Sequence, residues 1–113
     1  MIFDPPPSPE RVCFLAAQVV STAAGAALED VLSHERGTRP VMRVRALAMY
    51  VAHVGGRLPM TAVARGFDRH RSTVSHACLQ VEARREAGTF DLKVAVLECA
   101  LRSAIAQEAS HVA

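Results

Sequence analysis

The 113-residue sequence has no tryptophan, a single lysine (Lys93) and only 4% aromatic residues. Strands draw on aromatic and β-branched side chains, whereas alanine, the best helix former, supplies 20 positions here. Three cysteines (Cys13, Cys78 and Cys99) are too few and too far apart for a disulfide framework, and no C-x-x-C pair suggests zinc. Free thiols in a reducing compartment are expected, which means the cytoplasm. The most apolar stretch, Cys13 to Leu28, is interrupted by Gln18, Ser21 and Thr22 and preceded by Asp4 and Glu10. Neither a signal peptide nor a membrane span has that pattern. There is no G-x-x-x-x-G-K-[ST], G-x-S-x-G or H-E-x-x-H segment. No bound nucleotide, metal, cofactor or enzymatic activity is therefore expected.

What is present is enough for one packed domain, since 50% of the residues are hydrophobic. Residues 1–9 (MIFDPPPSP) read as a disordered proline-rich leader, and residues 10–110 as a single domain. From Pro9 a first helix carries Val12, Leu15, Ala16, Val19 and Ala23 on one stripe and stops at Gly25. A short helix follows at 28–33, and His34 to Pro40 reads as a polar loop. A third helix is expected from Met42 to Val54, ended by Gly55-Gly56, and a fourth starts at Pro59 and ends near Gly66. The fifth runs from Arg71 to about Ala87, with Val74, Ala77, Cys78 and Val81 buried. The sixth covers Phe90 to about Glu108, with Val94, Leu97, Leu101 and Ile105 on one side. No segment alternates with period two for long. The expected fold class is all-α, a compact bundle of five to six helices.

The net charge of +2 is an average over unlike segments. From His34 to Ser75, eight arginines stand against Glu35 and Asp68, giving +6, and the remainder of the chain carries −4. A basic segment of that density is the footprint of a nucleic-acid surface, although arginines paired with acids on a solvated face are the alternative. Arginine outnumbers lysine twelve to one, and its planar fork matches phosphate and guanine edges. Within this segment, Leu58 to Ala83 has the layout of a helix-turn-helix. The first turns of its second helix present Arg71, Ser72, Ser75 and His76 away from the apolar stripe. His76 has no metal-ligand spacing to Cys78, and the three cysteines read as small core residues.

Three segments carry a resemblance. Arg43-Val-Arg-Ala-Leu-Ala-Met-Tyr-Val-Ala, Leu58-Pro59-x-x-x-Val-Ala-x-x-Phe67 and Asp68-Arg-His-Arg-Ser-Thr-Val-Ser-His-Ala77 resemble the carboxy-terminal DNA-binding domain of the bacterial replication initiator DnaA. Gly25-Ala-Ala-Leu-Glu-Asp-Val-Leu32 looks like that domain's second short helix, so the likeness spans roughly residues 10–90. It implies that Arg45 enters the minor groove, with Arg43 and Arg39 along the backbone. Leu58 and Pro59 match positions that touch DNA at the start of the fourth helix. Arg69, His70, Arg71, Ser72 and Thr73 match the R-D-H-T-T segment that opens the recognition helix and reads bases. His70 replaces an aspartate that caps the helix and accepts from a base, and Arg71 replaces a histidine. A donor then stands in place of an acceptor, which predicts a preference for guanine opposite Arg71 rather than the initiator's own motif.

The family's ATPase module is not in this sequence, so a stand-alone reader is expected. Its size and architecture are similar to the DnaA-like half of activators of gene transfer agent expression. The leading expectation is a sequence-specific double-stranded DNA-binding regulator of transcription, cytoplasmic and nucleoid-associated. Replication control at initiator-type sites and a helical adaptor without DNA binding are the alternatives. Three or four base contacts of about 1–3 kcal/mol each discriminate poorly among a genome's competing sites. A protein partner (a sigma-like factor or RNA polymerase) or a second copy is therefore expected, with the sixth helix as its docking surface.

Overall fold

Ser8 starts the first helix, its side-chain oxygen accepting from the Arg11 amide at 3.1 Å, with Pro9 in the first turn where a missing N–H costs nothing. The computed structural model describes residues 7–110. Of the expected leader, residues 1–6 lie outside the described residues, whereas Ser8 and Pro9 belong to this helix start. Helix α1 (Pro9–Ala24) ends at Gly25, whose φ of 69° is the left-handed conformation glycine adopts without strain. It is followed by α2 (Leu28–Leu32), α3 (Arg39–Val54), α4 (Met60–Phe67), α5 (Arg71–Arg85) and α6 (Thr89–Ser110). The described residues contain no strand, and the fold is all-α with six helices.

Helices α1 and α3 form the centre. Helix α1 packs against α2, α3, α4 and α6, and α3 packs against every other helix. Burial therefore spreads beyond a single stripe. In α1, Ala17 and Val20 are buried alongside Val12, Leu15 and Ala16, while Ala23, placed on the apolar stripe by spacing, is exposed. In α3 the five consecutive residues Ala48–Ala52 are all buried. Close approach is built in at Gly66, where a Cβ would lie 2.4 Å from the Cys13 sulfur, so α4 can sit against α1 only with glycine there.

Two boundaries differ from the sequence expectation. Helix α3 begins at Arg39 rather than Met42, because Thr38 caps it and Pro40 falls in the first turn, where proline is tolerated. The shift places Arg39 in a helix start rather than a loop. Helix α5 ends at Arg85, with Glu86 as its cap, before the left-handed Gly88.

Helix α6 buries Val94, Leu97 and Leu101 and half-buries Phe90 and Ile105. It is tied down by polar contacts as well. Arg85 donates to Asp91 at 2.6 Å and to both oxygens of the buried Glu98 at 3.3 Å. The same guanidinium donates to the Tyr50 hydroxyl at 3.1 Å, which in turn donates to Glu82 at 2.6 Å. Arg11 pairs with Glu108, fastening the start of α1 to the end of α6. Cys13 and Cys78 are core residues as expected, and burial pushes the Cys13 thiol up to about 11. Cys99 departs from that expectation and is exposed on the outer side of α6. No helix among the described residues is long and apolar enough to cross a membrane, and no group of three or more His, Cys, Asp or Glu is placed to hold a metal ion.

Candidate nucleic-acid interface

The α4–α5 pair joins through a tight turn. Asp68 closes α4 in the left-handed region (φ 52°), and the Arg69 amide donates back to the Ala64 carbonyl at 2.9 Å. His70 then occupies the cap position of α5 without a side-chain bond to the helix backbone. Its ring nitrogen lies instead 3.1 Å from the Ser72 hydroxyl. The first amides of α5 are thus left without a side-chain cap, a favourable end for an anion. Arg71, Ser72, Thr73 and His76 are exposed and Ser75 is half-buried, while Val74, Ala77, Cys78 and Val81 hold the helix to the core. Pro59 is exposed and Leu58 half-buried at the start of α4. His53 bonds the Leu58 carbonyl at 2.7 Å and fixes that corner.

Beside α5 runs a groove of about 1070 Å³. One wall is the Thr73, His76 and Gln80 edge of α5; the other is the α2–α3 loop and the start of α3, with Arg36, Arg39 and Arg43. No acidic residue lines it. Among the described residues, no hydrogen bond or ion pair engages the side chains of Arg36, Arg39, Arg43 or Arg71. The alternative of arginines neutralised on a solvated face does not hold for these four. Neither acid of the segment lines the groove, although Asp68 lies 2.5 Å from the groove-lining His34.

Two expected readers are placed differently. Arg45, expected to enter the minor groove, is only 4% exposed. It falls on the same α3 face as Ala48, Met49 and Ala52, which turns it toward the loop. Its guanidinium donates to the carbonyls of Val31 (2.9 Å), Arg36 (2.8 Å), Asp30 (2.9 Å) and Glu35 (3.1 Å). Burial, and secondarily the charge of Arg69, lowers its pKa from the ordinary arginine value. Arg69, expected among the base readers, is half-buried and likewise committed to backbone. It donates to Phe67 (3.1 Å), Asp68 (3.2 Å), Ser33 (2.8 Å) and Glu35 (3.1 Å). The exposed loop arginine that sequence reasoning passed over is Arg36. Its place between Ser33 and Gly37, in a polar loop beside a helix start, was the signal available.

The geometry brings Arg39, Arg43, Thr73 and His76 around one groove. Arg71 and Ser72 precede Thr73 on the first turn of α5, and Ser75 lines a separate, smaller pocket with His53 and Met60. Comparison with known families identifies the family of the chain. The sequence model of the bacterial DnaA protein helix-turn-helix matches residues 16–81, more than half of the chain. The chain belongs to the bacterial DnaA helix-turn-helix family. DNA binding is the activity that membership in the DnaA family carries. Among solved structures, a crystal structure of a DNA replication initiation factor is similar, with a TM-score of 0.76 and 26% identity. That likeness covers 86% of this chain but 30% of the other, so the chain spans less than a third of that protein's length. Comparison with curated protein sequences gives no match. The DnaA family match ends within α5, and α6 lies beyond it.

Proposed function

We propose that this chain is a sequence-specific double-stranded DNA reader that regulates transcription from the cytoplasmic nucleoid. The single observation that carries the reading is the acid-free arginine groove set beside the open first turn of α5. Helix α5 enters the major groove by its amino terminus, with His70, Arg71, Ser72, Ser75 and His76 toward base edges. Thr73 and the unpaired Arg36, Arg39 and Arg43 then meet the adjacent phosphate strand, with an arginine of the loop reaching the minor groove in the place expected of Arg45. Leu58 and Pro59 touch the backbone at the start of α4. Three such cations predict a salt slope of about −2.7, a loss of roughly fortyfold in affinity between about 50 and 200 mM salt.

His70 and Arg71 favour a target other than the initiator's own site, because a donor stands where the family has an acceptor. The test is selection of bound duplexes from a random pool, followed by fluorescence anisotropy in competition with a consensus initiator site. Transcription regulation predicts an enriched motif with guanine opposite Arg71, lost in Arg71→Ala, and weak competition by the initiator site. Strong competition would instead favour replication control. Flat, salt-independent binding to every duplex would leave only the adaptor reading. A protein partner belongs to this proposal, since the outward side of α6 leaves Leu92 and Val96 about two-thirds exposed.

A further inference from the structure

The α2–α3 loop has little backbone bonding of its own. Ser33 donates to Asp30 at the end of α2, and Met42 donates to Thr38 once α3 has begun. Between them, among the described residues, the Glu35 amide donates to the Ser33 hydroxyl at 3.1 Å and the Val41 amide to the Thr38 hydroxyl at 3.4 Å, the second already at the start of α3. The chain reverses at Gly37 (φ 78°), where a Cβ would press on Val41 at 3.1 Å. Such a segment is held by whatever bonds its carbonyls. Here the holders are two guanidinium groups. Arg45 reaches in from the core helix α3, and Arg69 from the turn of the helix-turn-helix, and both donate to the Glu35 carbonyl at 3.1 Å. Neither has a carboxylate partner. Arg69 also donates to the last carbonyls of α4, so one side chain joins the loop to the turn that launches α5.

We propose that Arg45 and Arg69 are positioning residues for DNA reading: they clamp the Ser33–Thr38 loop to the helix-turn-helix and so fix Arg36 and Arg39 opposite the first turns of α5. The inference rests on the DNA-reading function proposed above and deepens it. A buried arginine whose partners are all backbone carbonyls is an expensive way to fill the face shared with Ala48, Met49 and Ala52, where an apolar side chain would serve packing. What the fork supplies is several donors in one plane, which neither a lysine nor a glutamine can provide at that reach. Without the clamp, the loop arginines must be ordered at the moment of binding, and the affinity falls by that entropy.

The test is a double-mutant cycle on a duplex enriched by the wild-type chain from a random pool, read by anisotropy at fixed salt. Arg36→Ala is expected to weaken binding about tenfold, the scale of one charge-assisted contact. Arg69→Gln is expected to weaken it by a similar factor, with its melting temperature held within a few degrees. The double variant is expected to be within about twofold of either single, because a released loop no longer places Arg36. Amide hydrogen exchange at Gly37 and Thr38 in the free protein is expected to accelerate in Arg69→Gln and Arg45→Gln but not in Arg36→Ala. If Arg45→Gln fails to fold, the half-exposed Arg69 carries the cycle alone. Multiplicative effects (about a hundredfold for the double), binding unchanged in Arg69→Gln, or unchanged loop exchange would each overturn the proposal. No duplex binding by the wild-type chain would overturn the DNA-reading function and this proposal with it, a failure seen in the wild-type arm rather than in the variants.

Discussion

Arginine is used in opposite ways at the two ends of this molecule. At the α3–α5–α6 junction, Arg85 is surrounded by Asp91, Glu98 and the Tyr50 hydroxyl, and those bonds raise its pKa. Arg84, which lines the groove, is held between the two regions by stacking over the Phe90 ring at 4.1 Å. At the groove, Arg36, Arg39 and Arg43 have no such partners among the described residues, and Arg45 and Arg69 bond only carbonyls. One end uses positive charge to close the structure and cancels it. The other gathers charge without cancelling it, although like charges repel: burial first, and the charge of Arg69 second, lowers the Arg45 pKa. Stability alone does not favour that second arrangement; an anion bound in the groove offsets it.

The comparison breaks most visibly at Arg85. Arg85→Ala strips Glu98 of its cation at a buried position, and the cost is expected to be about 2–3 kcal/mol. For a domain of this size that lowers the melting temperature by roughly 10 °C or more. Duplex affinity measured well below the melting point should stay at the wild-type value. A loss of DNA affinity with unchanged melting would mean that the two ends are not the separate regions described here.

The groove arginines predict the reverse. Arg36→Ala, Arg39→Ala and Arg43→Ala should each reduce affinity about tenfold and the salt slope by about one, with stability changed by less than ~0.5 kcal/mol. Isothermal titration at several salt concentrations, beside thermal melts, separates these effects. A variant that alters melting but not the salt slope would place its arginine with Arg85 rather than with the groove.

A smaller effect sharpens the far end. Burial is the main cause of a raised Tyr50 pKa, with the bond to Glu82 adding to it and Arg85 opposing. Folding therefore favours the neutral phenol. The stability this lends is intact below about pH 10, the unfolded value, and is lost as pH rises through the higher folded value. Tyr50→Phe should flatten the alkaline limb of the stability–pH curve and leave the neutral region nearly unchanged. An alkaline limb as steep as in the wild type would assign it to another group.

Much of this contrast was legible in the sequence. Charge resolved along the chain located the basic segment, and the glycines and prolines located the helix ends to within a few residues. The direction in which each arginine points was not legible. Arg43 and Arg45 are two residues apart, identical in chemistry and both in the groove lining, yet one is exposed and unpaired while the other is buried with its guanidinium bonded to carbonyls. Helical phase decides between them, because Arg45 lies three, four and seven residues before the buried Ala48, Met49 and Ala52. Arg69 was hidden for a different reason. It sits in a turn, where periodicity gives no direction, and its loop partners Ser33 and Glu35 are 36 and 34 residues away in sequence. The likeness to the family assigned a position to Arg45 but not a side-chain orientation.

Arg102 tests the null side of the contrast. It is exposed on α6, and the one bond its guanidinium makes is a weak one to the Cys99 sulfur at 3.5 Å. No residue of α6 lines the groove. A lone surface charge that is not near the bound anion acts only through the long-range field, which salt screens over about 8 Å at physiological strength. Arg102→Ala should therefore leave specific affinity, salt slope and melting temperature within error at physiological salt. Any weakening should surface only at low ionic strength and equally for all duplexes. If Arg102→Ala instead matches Arg36→Ala at physiological salt, α6 contacts DNA and the interface extends beyond the groove and the first turn of α5.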